Sequence, residues 1–203
     1  MLAAAFFAPQ LTIAAKSLFE REGGPGGAIG VVQNGNLIYV ETLGVRSLAS
    51  KQPVDDQTRF EIGSVTKMFT AAAVLQLKER GKLSIDDPLS KYVPSFPHAS
   101  EVTIRQLLTH TSGLPEYDTM DDFVDRMASI PNALPDIEAF ARGPLGFRPG
   151  TKWEYSNTNY IALGLVIAAV SGECTTRSLL RSAFRNCLPR PISATVVLLK
   201  EAR

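Results

Sequence analysis

The chain has 203 residues, of which 45% are apolar and 20% charged, with a formal net charge of +1. That is enough for one domain or two small ones with a substantial core, and no basic block points to nucleic acid as a partner. Two histidines and two cysteines, Cys174 and Cys187, give no cluster at zinc-ligand spacing. They leave room for one late disulfide but not for a disulfide framework, and no metal or cofactor is expected.

The N-terminal "MLAAAFFAPQ" is apolar, but the first basic residue is Lys16, so the positive n-region of a signal peptide is missing. Two readings stand: the remnant of an export signal, or the first turns of a helix that continues through "LTIAAKSLFE". The helix is preferred. Helix-like spacing over residues 8–22 ends at the breaker cluster Gly23 to Gly27. Two β-rich runs, "AIGVVQ" and "LIYVETLG", flank Asn34-Gly35-Asn36 and predict a hairpin.

"SLASKQPVDDQT" is a polar loop. From Ser64 to Arg80 the apolar residues Val65, Met68, Phe69, Ala72, Leu75 and Leu77 recur at helical spacing, and Gly81 supplies the stop. Thr103 to His110 reads as a short helix with Thr103 as N-cap. Asp86 and Asp87 read as a turn and cap rather than a carboxylate pair. "FRPGTKWEYSNTNY" is a loop held by Pro149-Gly150. The run Tyr160 to Val170 has about half the length of a membrane span and reads as a buried helix, so no transmembrane segment is expected. A hairpin, a long helix and a mostly helical remainder give an α+β class. The hairpin needs further strands, and only "ISATVVLLK", Ile192 to Lys200, has the β-branched, apolar character to supply one.

Ser64 and Lys67 stand at i and i+3, which lie on one face of a helix. A serine hydroxyl is a weak nucleophile until a base takes its proton, and a desolvated lysine can serve as that base. A helix N-terminus stabilises a developing alkoxide and offers N–H groups to an oxyanion. Against this, serine is a common N-cap and lysine a common helix residue, so Ser-x-x-Lys needs partners. Tyr155 and Asn157 supply them: at i and i+2 in an extended loop both side chains point to one side. A phenol beside a lysine can shuttle a proton to a leaving group, and a carboxamide can hold a substrate amide.

"GSVTK" and "YSN", with Ser64 and Tyr155 91 residues apart, resemble the serine β-lactamase and penicillin-binding-protein superfamily, whose signature includes S-x-x-K. Within it the chain is most similar to the class C β-lactamase-related proteins: AmpC-type enzymes, D-alanyl-D-alanine carboxypeptidases and family VIII esterases. "GGPGGAIGVVQNG", "FEIGSVTKMFTAAAVLQLKERGKLSIDDPLSKYVP", "TIRQLLTHTSGLPEY" and "FRPGTKWEYSNTNYIALGLVIAAVSG" resemble family text in the same order, over about Gly26 to Gly172.

The resemblance implies a β-lactamase/transpeptidase-like α+β fold, with the N-terminal hairpin and helical subdomain present and the C-terminal sheet strands largely missing. It implies Ser64 as acylated nucleophile, Lys67 as base and proton relay, Tyr155 as aid to activation and deacylation, and Asn157 as substrate hydrogen-bonder. The Ser64 N–H would form half of an oxyanion hole. His110, in "THTSGLP", reads as a loop-fixing residue.

The family's third motif, a Lys-Thr-Gly or His-x-Gly segment, does not occur in the 203 residues, and the text after Gly172 loses its likeness to the family. The expected organisation is therefore a partial β-lactamase-related domain over 1–172 and a divergent tail over 173–203. A truncation with a shifted reading frame is the hypothesis that would account for the short chain and the two late cysteines. Two functions compete. One is a serine hydrolase acting through an acyl-enzyme on β-lactams, small esters or D-amino-acid peptides. The other is a catalytically impaired fragment or non-catalytic binding remnant. The expected partners are a small-molecule substrate and, through an exposed sheet edge, a second copy of the chain. Family habit implies a periplasmic or secreted location, which this N-terminus does not support.

Overall fold

The computed structural model describes residues 2–60, 62–117, 134–172 and 195–200. Its compact units are Met1–Gly63 with Leu188–Arg203, and Ser64–Cys187. Of the tail expected over 173–203, only 195–200 is described, and both cysteines lie outside the described residues.

In the first unit, helix α1 runs without a break over Leu2–Glu22, where helical spacing was expected. Strands β1 (Gly26–Gln33) and β2 (Asn36–Gly44) form the expected hairpin. Asn34 and Gly35 both have positive φ, 51° and 76°, the pair of left-handed residues that a two-residue turn needs to match the twist of its strands. A register shift between Val31 and Val32 marks a bulge. Strand β3 (Thr195–Lys200) pairs antiparallel with the free side of β1, giving the order β2-β1-β3. The one segment with strand character in the tail therefore supplies the strand the hairpin lacks. Ile29 and Val31 point to the buried side, and α1 packs on β2, where the Thr12 and Tyr39 hydroxyls lie 2.9 Å apart.

The second unit is built on α2 (Thr66–Glu79), α3 (Ile104–Leu108), α4 (Leu134–Ala141) and α5 (Asn157–Ser171). The α2 helix begins two residues later than expected. Gly63–Val65 form a single 3-10 turn, and the N-cap position is Val65, already right-handed at φ −58°, ψ −27°. Ser64 is therefore wound into the approach turn and is not the helix cap. The buried stripe of α2 is Thr70, Ala73, Val74 and Leu77, spaced i, i+3, i+4, i+7. Of the apolar residues that suggested the helix, Val65, Met68, Phe69 and Leu75 are exposed: that set spans more than one face, and only Leu77 belongs to the buried stripe.

Thr103 and Gln106 close α3 with a reciprocal capping box. Helix α5 is apolar nearly all round and buries Ala162, Leu163, Val166 and Ile167 between α2 and α3. It stops at Gly172, where φ is 69°. Val74, Leu89, Val102, Ile104 and Leu107 complete this core. Asp87 caps the turn before Leu89, accepting from the Ser84 N–H at 3.0 Å, from Lys91 at 2.8 Å and from the Tyr92 hydroxyl, while Asp86 pairs with Arg105 through two bonds. No helix among the described residues is long and apolar enough to cross a membrane.

Candidate active site

Ser64 and Lys67 rise from the approach turn and first turn of α2, and Lys67 Nζ donates to Ser64 Oγ at 3.2 Å. Facing them is the segment Trp153 to Asn157, which enters α5. Ser156 is extended, at φ −145° and ψ 124°, so its neighbours Tyr155 and Asn157 turn to one side. Asn157 is thus the first helical residue, not a loop residue as expected, but the extended Ser156 preserves the pairing. Ser64 Oγ lies 2.9 Å from the Tyr155 hydroxyl. Tyr155 donates to Asn157 Oδ1 at 3.2 Å, and Lys67 Nζ donates to the same oxygen at 2.6 Å. All four residues singled out in the sequence therefore fall in one hydrogen-bonded cluster. Lys67 Nζ also sits 5.0 Å from the centre of the Tyr155 ring and 5.6 Å from that of Tyr160, within cation–π range.

The segment is held in place by the loop "HTSGLPE". Gly113 has φ +78°, and a Cβ there would stand 2.3 Å from the Phe147 carbonyl oxygen, so only glycine lets the two loops approach this closely. The Gly146 N–H donates to the Gly113 carbonyl, the Gly150 N–H to that of Thr111 and the Glu154 N–H to that of His110. His110 Nδ1 accepts from the Ser156 N–H at 3.1 Å, and its ring stacks on Tyr155 with centroids 4.6 Å apart. Burial, and then the positive charge of Lys67, hold His110 below the usual histidine range. The ring is therefore neutral at pH 7 and free to accept that bond. These contacts are those of a loop-fixing residue.

One residue at the site was not singled out from sequence. Glu116 accepts from the backbone N–H of Asn157 and, at 3.2 Å, from its Nδ2. It is 41 residues from Asn157, so no local spacing links the two. The only cue is an acid directly after "SGLP". Beside it, the buried Ser112 hydroxyl donates to Asn159 Oδ1 at 2.5 Å, and the Thr158 hydroxyl donates to the Pro115 carbonyl at 2.6 Å. Among the described residues, no group of three or more acidic, histidine or cysteine side chains is arranged to hold a metal ion.

The family model described as Beta-lactamase matches residues 14–186. Protein flp of Staphylococcus aureus (strain NCTC 8325 / PS 47) is 37% identical over 164 residues, covering 78% of this chain and 32% of flp. Among solved structures, the octameric penicillin-binding protein homologue from Pyrococcus abyssi superposes with a TM-score of 0.68 at 35% identity, over 84% of this chain and 40% of that one. D-alanine carboxypeptidase AmpC from Burkholderia cenocepacia gives a TM-score of 0.66 at 30% identity, over 85% and 45%. The chain thus spans about a third of the length of flp, and its mixed α+β fold is the β-lactamase/transpeptidase-like fold over part of that length. With most of its residues matched, the chain belongs to the hydrolytic Beta-lactamase family.

Proposed function

We propose that the chain is a serine hydrolase that works through an acyl-enzyme on Ser64. The observation that carries this reading is the contact of Ser64 Oγ with both Lys67 Nζ and the Tyr155 hydroxyl. A nucleophile with two proton-transfer groups in hydrogen-bond reach meets the geometric requirement for activation. Lys67, directly or through Tyr155, takes the Ser64 proton as Oγ bonds to the substrate's carbonyl carbon. The tetrahedral adduct then collapses with cleavage of its C–N or C–O bond, and the nitrogen or oxygen takes that proton. An amine or alcohol departs, a β-lactam ring nitrogen stays tethered to the acyl group, and water later cleaves the acyl ester. Asn157 holds the substrate's amide, and the Ser64 N–H supplies one oxyanion donor. The substrate class is β-lactams, small esters or D-amino-acid peptides. The domain organisation that goes with this reading is a β-lactamase-related part over 1–172 followed by a tail.

A second reading is a catalytically impaired fragment or a non-catalytic binding remnant of the family. Incubation with a fluorescent penicillin, nitrocefin and a p-nitrophenyl ester separates the two. A covalent adduct with product release supports the hydrolase, an adduct without release supports the impaired fragment, and the formation of neither adduct nor product contradicts the acyl-enzyme and leaves the binding remnant. Self-association through the β2 or β3 edge, an edge being a template for pairing, is tested by size-exclusion chromatography.

A further inference from the structure

We infer that Glu116 is a positioning residue that sets the orientation of the Asn157 amide and, through it, the place of Lys67. The role in catalysis rests on the serine-hydrolase reading above. An ionised carboxylate only accepts hydrogen bonds and a lysine ammonium only donates them. Asn157 lies between the two: Nδ2 donates to Glu116 Oε1 at 3.2 Å, and Oδ1 accepts from Lys67 Nζ at 2.6 Å. Only one orientation of the amide satisfies both neighbours, since the flipped one sets NH₂ against ammonium and carbonyl against carboxylate.

The second oxygen of Glu116 takes the Asn157 backbone N–H, one of the first-turn donors of α5. Ser156, at the N-cap, makes no side-chain cap bond to that helix. Glu116 therefore does from a distant loop what a cap residue does locally, with a negative charge at the favourable end of the helix. Both bonds land on the same residue, so Asn157 is fixed at its backbone and its side chain by one carboxylate. Tyr155 and Lys67, which share Asn157 Oδ1, are aimed at Ser64 from that fixed point.

E116Q tests this. A glutamine has one carbonyl oxygen for two donors and an NH₂ in place of the second acceptor, so one bond is lost and the Asn157 amide is no longer restricted to one orientation. The acylation rate with an activated ester is expected to fall about tenfold, as expected for a modest loss of alignment, with little change in apparent substrate affinity. E116D is expected to recover part of the loss. In an N157A background E116Q is expected to change the acylation rate no further, because the amide it orients is gone, while its effect on Tm persists. Parent-like acylation by E116Q, or an undiminished loss in N157A, overturns the inference. Should the parent form no acyl-enzyme, the hydrolase reading falls. The orientation claim is then decided by NMR: distinct, slowly exchanging Asn157 side-chain amide protons in the parent that exchange rapidly in E116Q support it, and identical exchange in both overturns it.

Discussion

Lys91 and Lys67 belong to the same unit, and each reaches a tyrosine and an oxygen acceptor, but the acceptors differ. Lys91 rests on the Asp87 carboxylate at 2.8 Å, with the Tyr92 hydroxyl on the same oxygen. Lys67 rests on the Asn157 carboxamide at 2.6 Å, with the Tyr155 hydroxyl on that oxygen. In the first cluster the hydrogen bonds from Lys91, Tyr92 and the Ser84 N–H hold Asp87 down to about 2, and Asp87 raises Lys91 in return. Each member keeps the other charged, and the result is a pinned turn. In the second, the amide orients the lysine without placing a negative charge against it, and the carboxylate, Glu116, stands one residue further back. The comparison teaches that the same Lys–Tyr pair can be built on a carboxylate, as an ion pair that pins a turn, or on a neutral carboxamide.

The largest difference is expected on removing each lysine. Lys67→Ala should slow acylation by about 10²–10⁴, the range for losing general-base help, and Lys67→Arg should be nearly as damaging because guanidinium does not release its proton. Lys91→Ala should leave the acylation rate unchanged and lower Tm slightly, as for an exposed ion pair. Stopped-flow acylation of the three variants checks this, and a Lys67→Arg enzyme with the parent's rate would reduce the lysine's role to charge alone.

Next come the groups that share the acceptor oxygens. Tyr155→Phe should reduce the chemical step about a hundredfold on esters and amides alike, whereas Tyr92→Phe should leave it unaltered. Asn157→Ala should slow acylation by esters and amides alike about tenfold, because Lys67 and Tyr155 share its Oδ1, and should in addition weaken binding of amide-bearing substrates about fivefold, the value of one hydrogen bond. KM values for amides and esters that change by the same factor would contradict a substrate-holding amide.

The smallest effect is on acid stability. Asp87 sits lower in the folded chain than its ordinary 3.8, so it contributes stability that is fully present above the unfolded value and is lost as pH falls towards about 2. Asp87→Asn should therefore have a lower Tm than the parent at neutral pH, with the gap narrowing as pH drops through that window. A gap that stays constant would show that the carboxylate's charge does not contribute.

Much of this was legible in the chain. The Asn34-Gly35 turn, the Thr103 cap and the Gly81 stop are local signals whose chemistry is complete within a few residues. Ser64, Lys67, Tyr155 and Asn157 were legible as pairs at short spacing, and their meeting as a set was supplied by likeness to family text. What was not legible depends on where two distant segments meet. Glu116 reaches the start of α5 through the fold of the loop at Gly113, which no local spacing announces. The buried face of α2 is not legible, because Met68, Phe69 and Leu75 fit a helical period while lying off the stripe defined by Thr70, Ala73, Val74 and Leu77. The start of α2 lies two residues beyond Ser64 because a 3-10 turn over Gly63–Val65 leaves no mark in residue spacing.

The account turns on Ser64 as the atom that becomes acylated. Mass spectrometry of the intact chain and of its peptides after exposure to a fluorescent penicillin or an activated ester tests that directly. The expected result is one adduct per chain, on the peptide containing Ser64, that is abolished in a Ser64→Ala variant with unchanged Tm. An adduct of equal yield in the alanine variant, or one that maps to another residue, would contradict it.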